Sequence, residues 1–231
     1  MGNISNSTDN FEEKRKPKTP IKFKLQLNEE QKIAKGQILN NVLSILAGKA
    51  GSGKTLLACQ IALDGLFNRD YNKIIITRPT VSKEDIGFLP GDLDKKLDPW
   101  VQPIYQNMFL LYDEEKVKAR ILKGQIEIVP ISFMRGRTFL NSCVIVDEAQ
   151  NVTMSQMEMI VTRIGLNSKM IICGDDAQVD LKSKRESGFR FLYNAADRIN
   201  NLVAISLHKN HRHSIVDEII ELYEEFEENK K

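Results

Sequence analysis

Gly48-Lys49-Ala50-Gly51-Ser52-Gly53-Lys54-Thr55 meets the pattern G-x-x-x-x-G-K-[ST] at every fixed position, and the chemistry of that spacing is the holding of a nucleoside triphosphate. Glycines at 48, 51 and 53 let the backbone take positive φ and bring its N–H groups against phosphate oxygens. Lys54 reaches the β- and γ-phosphates as a point charge, and the Thr55 hydroxyl can ligate Mg²⁺. The whole run, with Lys49, Ala50 and Ser52 between the fixed positions, is the candidate site for ATP and its magnesium.

A second cluster lies about a hundred residues on. Ser142 to Val146 is apolar and runs into Asp147-Glu148-Ala149-Gln150, an arrangement in which Asp147 orients Mg²⁺ and Glu148 polarises the attacking water. The two carboxylates could instead cap a helix starting near Thr153. Beyond the apolar run Lys169 to Cys173 come Gly174-Asp175-Asp176-Ala177-Gln178, where the Gln178 amide is placed to sense a γ-phosphate. Arg212, in His208-Lys209-Asn210-His211-Arg212-His213, is a candidate arginine finger. The three histidines of that run suggest a metal, but nothing nearby completes a ligand set.

Other candidates also have a bland reading. Gln31 sits on a helix that Asn28 should cap; its amide could read adenine by accepting from the amino group and donating to a ring nitrogen, or could face water. Arg78, just past the strand Lys73 to Thr77, and Arg135 and Arg137, flanking Gly136, could grip nucleic acid phosphates or be surface arginines.

These groups need a scaffold, and the pattern supplies one. Apolar runs of strand length at 42–46, 73–77, 126–131, 142–146, 169–173 and 202–207 alternate with helical patterns, predicting a mainly parallel sheet with helices on both faces in a single α/β domain. Helices are expected over 56–63, from Trp100 to Leu122, and from Ser214 onward, where Ile215, Ile219, Leu222 and Phe226 should pack inward while the glutamates face water. The stripe Tyr105, Met108, Phe109 and Tyr112 reads as core. Residues 83–98 read as an ordered functional loop. The polar, basic start of the chain, residues 1–24, reads as a disordered tail, leaving 25–231 as the folded unit.

Composition is permissive. In 231 residues, 42% are hydrophobic and 28% charged, enough for one substantial core, and a net charge of +2 excludes a strongly basic nucleic-acid binder, so any such surface must be local. Cys59, Cys143 and Cys173 stand apart in apolar runs and read as buried free thiols. No apolar run approaches ~20 residues, so no membrane role is expected and a reducing cytoplasm is.

The P-loop, Ile76-Thr77-Arg78-Pro79, Gly87-Phe88-Leu89-Pro90-Gly91-Asp92, Phe133-Met134-Arg135-Gly136-Arg137-Thr138, Val146-Asp147-Glu148-Ala149-Gln150 and Gly174-Asp175 with Gln178 together resemble the PhoH family of ATPases over roughly residues 27–220. The resemblance implies a RecA-like core related to superfamily-one helicases, found in bacteria and their phages and associated with phosphate starvation and RNA metabolism. Some relatives carry a fused PIN nuclease domain; none is expected within these 231 residues. Carried over residue by residue, the resemblance gives Lys54 and Thr55 to the nucleotide, Asp147 and Glu148 to Mg²⁺ and water, Gln178 to sensing, and, through a short Leu-Asn-x-x-Gln pattern, Gln31 to adenine. Because helicases of that kind catalyse between two RecA-like halves and this chain supplies one, a homo-oligomeric ring, hexameric by family resemblance, is expected, with Arg212 or the arginines near 135 reaching a neighbour's γ-phosphate. The expected function is an ATPase coupled to single-stranded RNA. The alternatives are a nucleotide-gated RNA-binding module or nuclease partner, and a metabolic kinase.

Overall fold

The structure, a computed structural model, describes residues 22–79, 93–181, 183–211 and 214–228. Its centre is a six-stranded sheet of β1 (Leu43–Gly48), β2 (Lys73–Thr77), β3 (Ile126–Ile128), β4 (Ser142–Val146), β5 (Lys169–Gly174) and β6 (Leu202–Leu207). The strands lie in the order β3-β2-β4-β5-β1-β6, and every pair is parallel. A parallel sheet is stable only when both faces are covered, and the β-branched runs of these strands are its signature. The result is an α/β fold in a single domain, a parallel sheet with helices on both faces.

Period-2 alternation sends successive side chains to opposite faces. Leu46, Ile74, Ile76, Cys143, Ile145, Ile171 and Cys173 point to one, where α1 (Glu29–Leu39), α2 (Lys54–Phe67), α3 (Leu93–Leu111) and α4 (Glu114–Leu122) complete a core around Leu57, Ile61 and Met108. Ile45, Ile75, Val144, Val146, Met170 and Ile172 point to the other, against α5 (Met154–Val161) and α6 (Gly188–Ala195). The last helix, α7 (Ser214–Glu228), follows β6. The three cysteines are buried and free, and burial pushes each thiol up, that of Cys143 to about 12.

Several expectations need correction. The helix expected from Trp100 to Leu122 is two helices, because the Asp113 side chain accepts from the Lys116 N–H (3.0 Å) and starts α4 afresh. The third strand ends at Ile128, where Pro130 leads into a 3₁₀ turn over Ile131–Phe133. The tail expected to extend to residue 24 joins the fold earlier: Phe23 packs edge-on against Tyr112 with ring centroids 6.2 Å apart, and the Lys24 N–H donates to the Leu111 carbonyl (2.9 Å). Of the α7 residues expected to pack inward, Ile219 and Leu222 are instead 46% and 65% exposed. Met108 of the aromatic stripe is fully buried and Phe109 and Tyr112 flank it, as a core stripe should.

Candidate active site

Parallel strands bring all six carboxyl ends to one edge, and the loops that leave that edge carry the candidate residues. β1 delivers the chain directly into the P-loop. A Cβ at Gly48 (φ 156°) would meet the Leu207 carbonyl at 2.5 Å and Ser52 Oγ at 2.7 Å, so the loop can only close on β6 because this position is bare. Gly53 (φ 81°) is the N-cap residue of α2 and has no side chain with which to cap it. The first N–H groups of α2 therefore keep their donors for an anion, and the helix dipole adds its positive end. Lys54 Nζ donates to the Gly48 carbonyl (2.6 Å) and the Lys49 carbonyl (3.0 Å), which places its ammonium across the mouth of the loop.

Thr55, at the start of α2, and Asp147, at the end of β4, are 92 positions apart in sequence, yet Thr55 Oγ1 donates to Asp147 Oδ1 at 2.6 Å. Asp147 is 5% exposed, and burial pushes its carboxyl up, the Thr55 bond working in the opposite direction. A buried carboxylate beside a hydroxyl oxygen is a hard-oxygen pair suited to Mg²⁺, which takes few protein ligands and completes its shell with phosphate oxygens and water. These two residues therefore fit the ion expected there.

Glu148 adopts left-handed backbone angles (φ 51°, ψ 37°), uncommon for a residue with a side chain and a mark of a site whose surroundings hold it. Its Oε2 accepts from Gln150 Nε2 (2.8 Å), and its Oε1 lies 3.9 Å from Arg78 Nη2. Gln150 is buried, and its Oε1 accepts from the Asp175 backbone N–H (3.1 Å). A chain of polar contacts thus runs from the end of β2, through the carboxylate, to the end of β5. The helix after this segment is capped by Thr153 together with Gln156, so the two carboxylates are not its caps.

The sequence profile of the family described as "PhoH-like protein" matches residues 25–224. The chain is 43% identical to a PhoH-like protein of Bacillus subtilis over 180 residues, 77% of this chain and 56% of that protein. It is 41% identical to a PhoH-like protein of Synechocystis over 183 residues, 78% and 56% respectively, and 41% identical to Protein PhoH of Escherichia coli over 162 residues, 68% and 45%. The chain belongs to the PhoH family. It spans about half the length of the curated relatives it matches. Among solved structures it is similar to the Pif1 helicase of Candida albicans, at 18% identity and a TM-score of 0.43, covering 80% of this chain and 40% of that one.

The remaining family positions are placed unevenly. Asn28 caps α1 and Gln31 Oε1 accepts from the Asn28 N–H (3.2 Å) in a capping box, so one acceptor direction of the Gln31 amide is committed and its Nε2 faces the P-loop, 2.7 Å from where a Gly53 Cβ would sit. Arg78 lies beside Glu148, with its Nη2 3.9 Å from the carboxylate. The Arg137 guanidinium makes a two-bond ion pair with Glu127 (2.9 Å each) and lies over the Phe139 ring, whereas Arg135 is exposed. Gln178 is exposed, its backbone N–H donating to the Asp175 carbonyl. Arg212 and the segment Gly87 to Asp92 lie outside the described residues. No group of three or more metal-ligating side chains occurs among the described residues. Nor is any helix among them long and apolar enough to cross a membrane.

Sequence reasoning missed three contributors. His211 Nε2 meets Asn28 Nδ2 at 2.9 Å and Gln31 Nε2 at 3.5 Å, while its backbone N–H donates to the Gly51 carbonyl. Glu30 accepts from the backbone N–H groups of His208 (2.8 Å) and Lys209 (3.2 Å), and the His208 bond holds its carboxyl below the usual range. Gln150 is the third. Only Gln150 carried a signal in sequence, its place directly after the two carboxylates.

Proposed function

We propose that this chain binds and hydrolyses ATP with magnesium and couples the cycle to single-stranded RNA. The observation that carries the reading is the Thr55–Asp147 contact at 2.6 Å next to a helix start whose cap residue has no side chain. The bare N–H groups of α2 and the loop glycines hold the phosphates, and Lys54 exchanges its carbonyl partners for phosphate oxygens. Thr55 and Asp147 hold Mg²⁺, which neutralises charge on the phosphates. Glu148, oriented by Gln150, takes the proton of the attacking water, and Arg78 steadies the charge of that carboxylate. Gln31 presents its Nε2 donor to a ring nitrogen of the base. The second wall of the site is supplied by a neighbouring copy in a ring, through Arg212 or Arg135, and Arg135 and Arg137 contribute to the RNA surface.

Magnesium-dependent ATP turnover, measured with and without single-stranded RNA, tests this. The expected result is slow turnover that RNA accelerates and Glu148→Gln sharply lowers; nucleotide binding that survives Lys54→Ala unchanged would overturn it. A second reading, nucleotide-gated RNA binding with little turnover, draws support from the exposed Gln178. RNA affinity that depends on ATP, without RNA-stimulated hydrolysis, would favour it.

A further inference from the structure

Two capping bonds decide how a third side chain must stand. At the start of α1 the Gln31 backbone N–H donates to Asn28 Oδ1 (2.8 Å), and the Asn28 backbone N–H donates to Gln31 Oε1 (3.2 Å). A backbone N–H can only donate, so each side-chain amide turns its oxygen to the helix start and its NH₂ end away. Those two NH₂ ends meet at one atom. His211 Nε2 lies 2.9 Å from Asn28 Nδ2 and 3.5 Å from Gln31 Nε2. A ring nitrogen facing two donors must accept, so this arrangement requires a neutral imidazole with its proton on Nδ1.

His211 is tied to the phosphate loop as well. Its backbone N–H donates to the Gly51 carbonyl (3.1 Å), and a Cβ at Gly53 would lie 3.7 Å from its ring and 2.7 Å from Gln31 Nε2. The P-loop, the start of α1 and the segment after β6 therefore converge on this residue. An amide NH₂ has two N–H bonds, so the one directed at His211 leaves the Gln31 amide a second for the base. The imidazole is exposed, and the charged groups of the elements around it are Glu30 from α1, Lys49 and Lys54 from the P-loop, and His208 and Lys209 from its own segment, with Arg212 and His213 next in sequence. The Glu30 carboxyl, held below its usual range by the His208 N–H, favours a positive ring, and the lysines oppose one.

We propose that His211 is a positioning residue of the base site: its unprotonated Nε2 holds the amide donors of Asn28 and Gln31, which sets the Gln31 amide against the base, while its main chain ties that arrangement to the P-loop. This rests on the part of the proposed function that gives Gln31 to adenine, and not on hydrolysis or RNA. A charged imidazole carries N–H at both ring nitrogens and would turn a third donor on the two amides. Histidine gains its charge in mild acid, so acidification opens the contact and loosens the base, while the backbone cradle for the phosphates keeps its donors.

The test compares MgATP with magnesium tripolyphosphate, which has the phosphates and no base, by calorimetry on the full chain between about pH 8 and pH 5.5. Protonation of phosphate oxygens weakens both ligands, so the ratio of the two affinities isolates the base. In wild type that ratio should fall by roughly 3- to 10-fold on acidification, the worth of one hydrogen-bonded contact. His211→Leu should show the low ratio at every pH. His211→Gln, whose side-chain oxygen reaches the place of Nε2 and does not titrate, should restore the high ratio and flatten the profile, which also separates His211 from His208. A flat wild-type ratio, a wild-type ratio in His211→Leu, or a low ratio in His211→Gln would each overturn the assignment, and the first needs no variant to fold. Gln31→Ala separates the two readings. If it leaves the ratio high, base reading by Gln31 fails; if it lowers the ratio while His211→Leu does not, only the positioning role fails.

Discussion

Helices α2 and α5 both begin just beyond the carboxyl end of a parallel strand, at the same edge of the sheet, and their first turns are built in opposite ways. At α5, Thr153 Oγ1 accepts from the Gln156 N–H, and Gln156 Oε1 accepts in return from the Thr153 N–H, so the helix satisfies its own start. α1, α4 and α6 likewise have side-chain caps, from Asn28, Asp113 and Ser187. α2 alone among these five begins on a glycine in the left-handed region. A capped start gains stability from within the chain, whereas a bare one keeps its donors for a ligand and is held in place by tertiary packing, here by Gln31, His211 and Leu207 around the loop. One helix start is closed by its own side chains and the other is left without a side-chain cap.

The largest effect that would sharpen this contrast is catalytic. Glu148→Gln should lower ATP turnover by roughly 10²- to 10⁴-fold, the usual contribution of a positioned general base, while nucleotide affinity is kept; stopped turnover with intact binding of labelled ATP is the readout. Next comes Lys54→Ala. Loss of one charge-assisted donor, about 1.5–3 kcal/mol, should weaken MgATP binding by roughly 10- to 100-fold in calorimetry.

Thr153→Ala should show the reverse pattern, since it removes a cap and no ligand donor. A loss of about 1 kcal/mol in urea unfolding, with MgATP affinity within twofold of wild type, would keep the two helix starts distinct, and a parallel loss of affinity would erase the distinction. The smallest effect belongs to the pair Arg137–Glu127. The Arg137 bond holds the Glu127 carboxyl below its ordinary range, so the stability it lends is present above the unfolded carboxylate value near ~4.3 and is lost as pH falls through the lower folded value. Both side chains are a third exposed, so Arg137→Ala should cost about 1 kcal/mol or less at neutral pH and nothing below that window, as pH-dependent unfolding would record.

The regular elements were legible wherever local pattern and environment agree. Ile74-Ile75-Ile76 and Val144-Ile145-Val146 could only be strands covered on both faces, and Asn28 with Gln31 announced a helix start. Periodicity failed where a single polar side chain overrides it, as Asp113 does in dividing α3 from α4. It failed again at α7, where an amphipathic stripe predicts a buried face and Ile219 and Leu222 are exposed.

By itself the sequence determined the chemistry on offer: glycines where a backbone must approach an anion, a lysine and a threonine behind them, and two carboxylates at the end of an apolar strand, because residue type and short-range spacing decide what a loop can hold. Only the tertiary structure decided which of these groups meet. The strand order sets β5 between β1 and β4, yet it leaves their ends close enough for Thr55 to reach Asp147, and the same edge draws Arg78 to Glu148. Those outcomes depend on how parallel strands are shuffled in the sheet, and contacts between residues tens of positions apart leave no trace in local spacing.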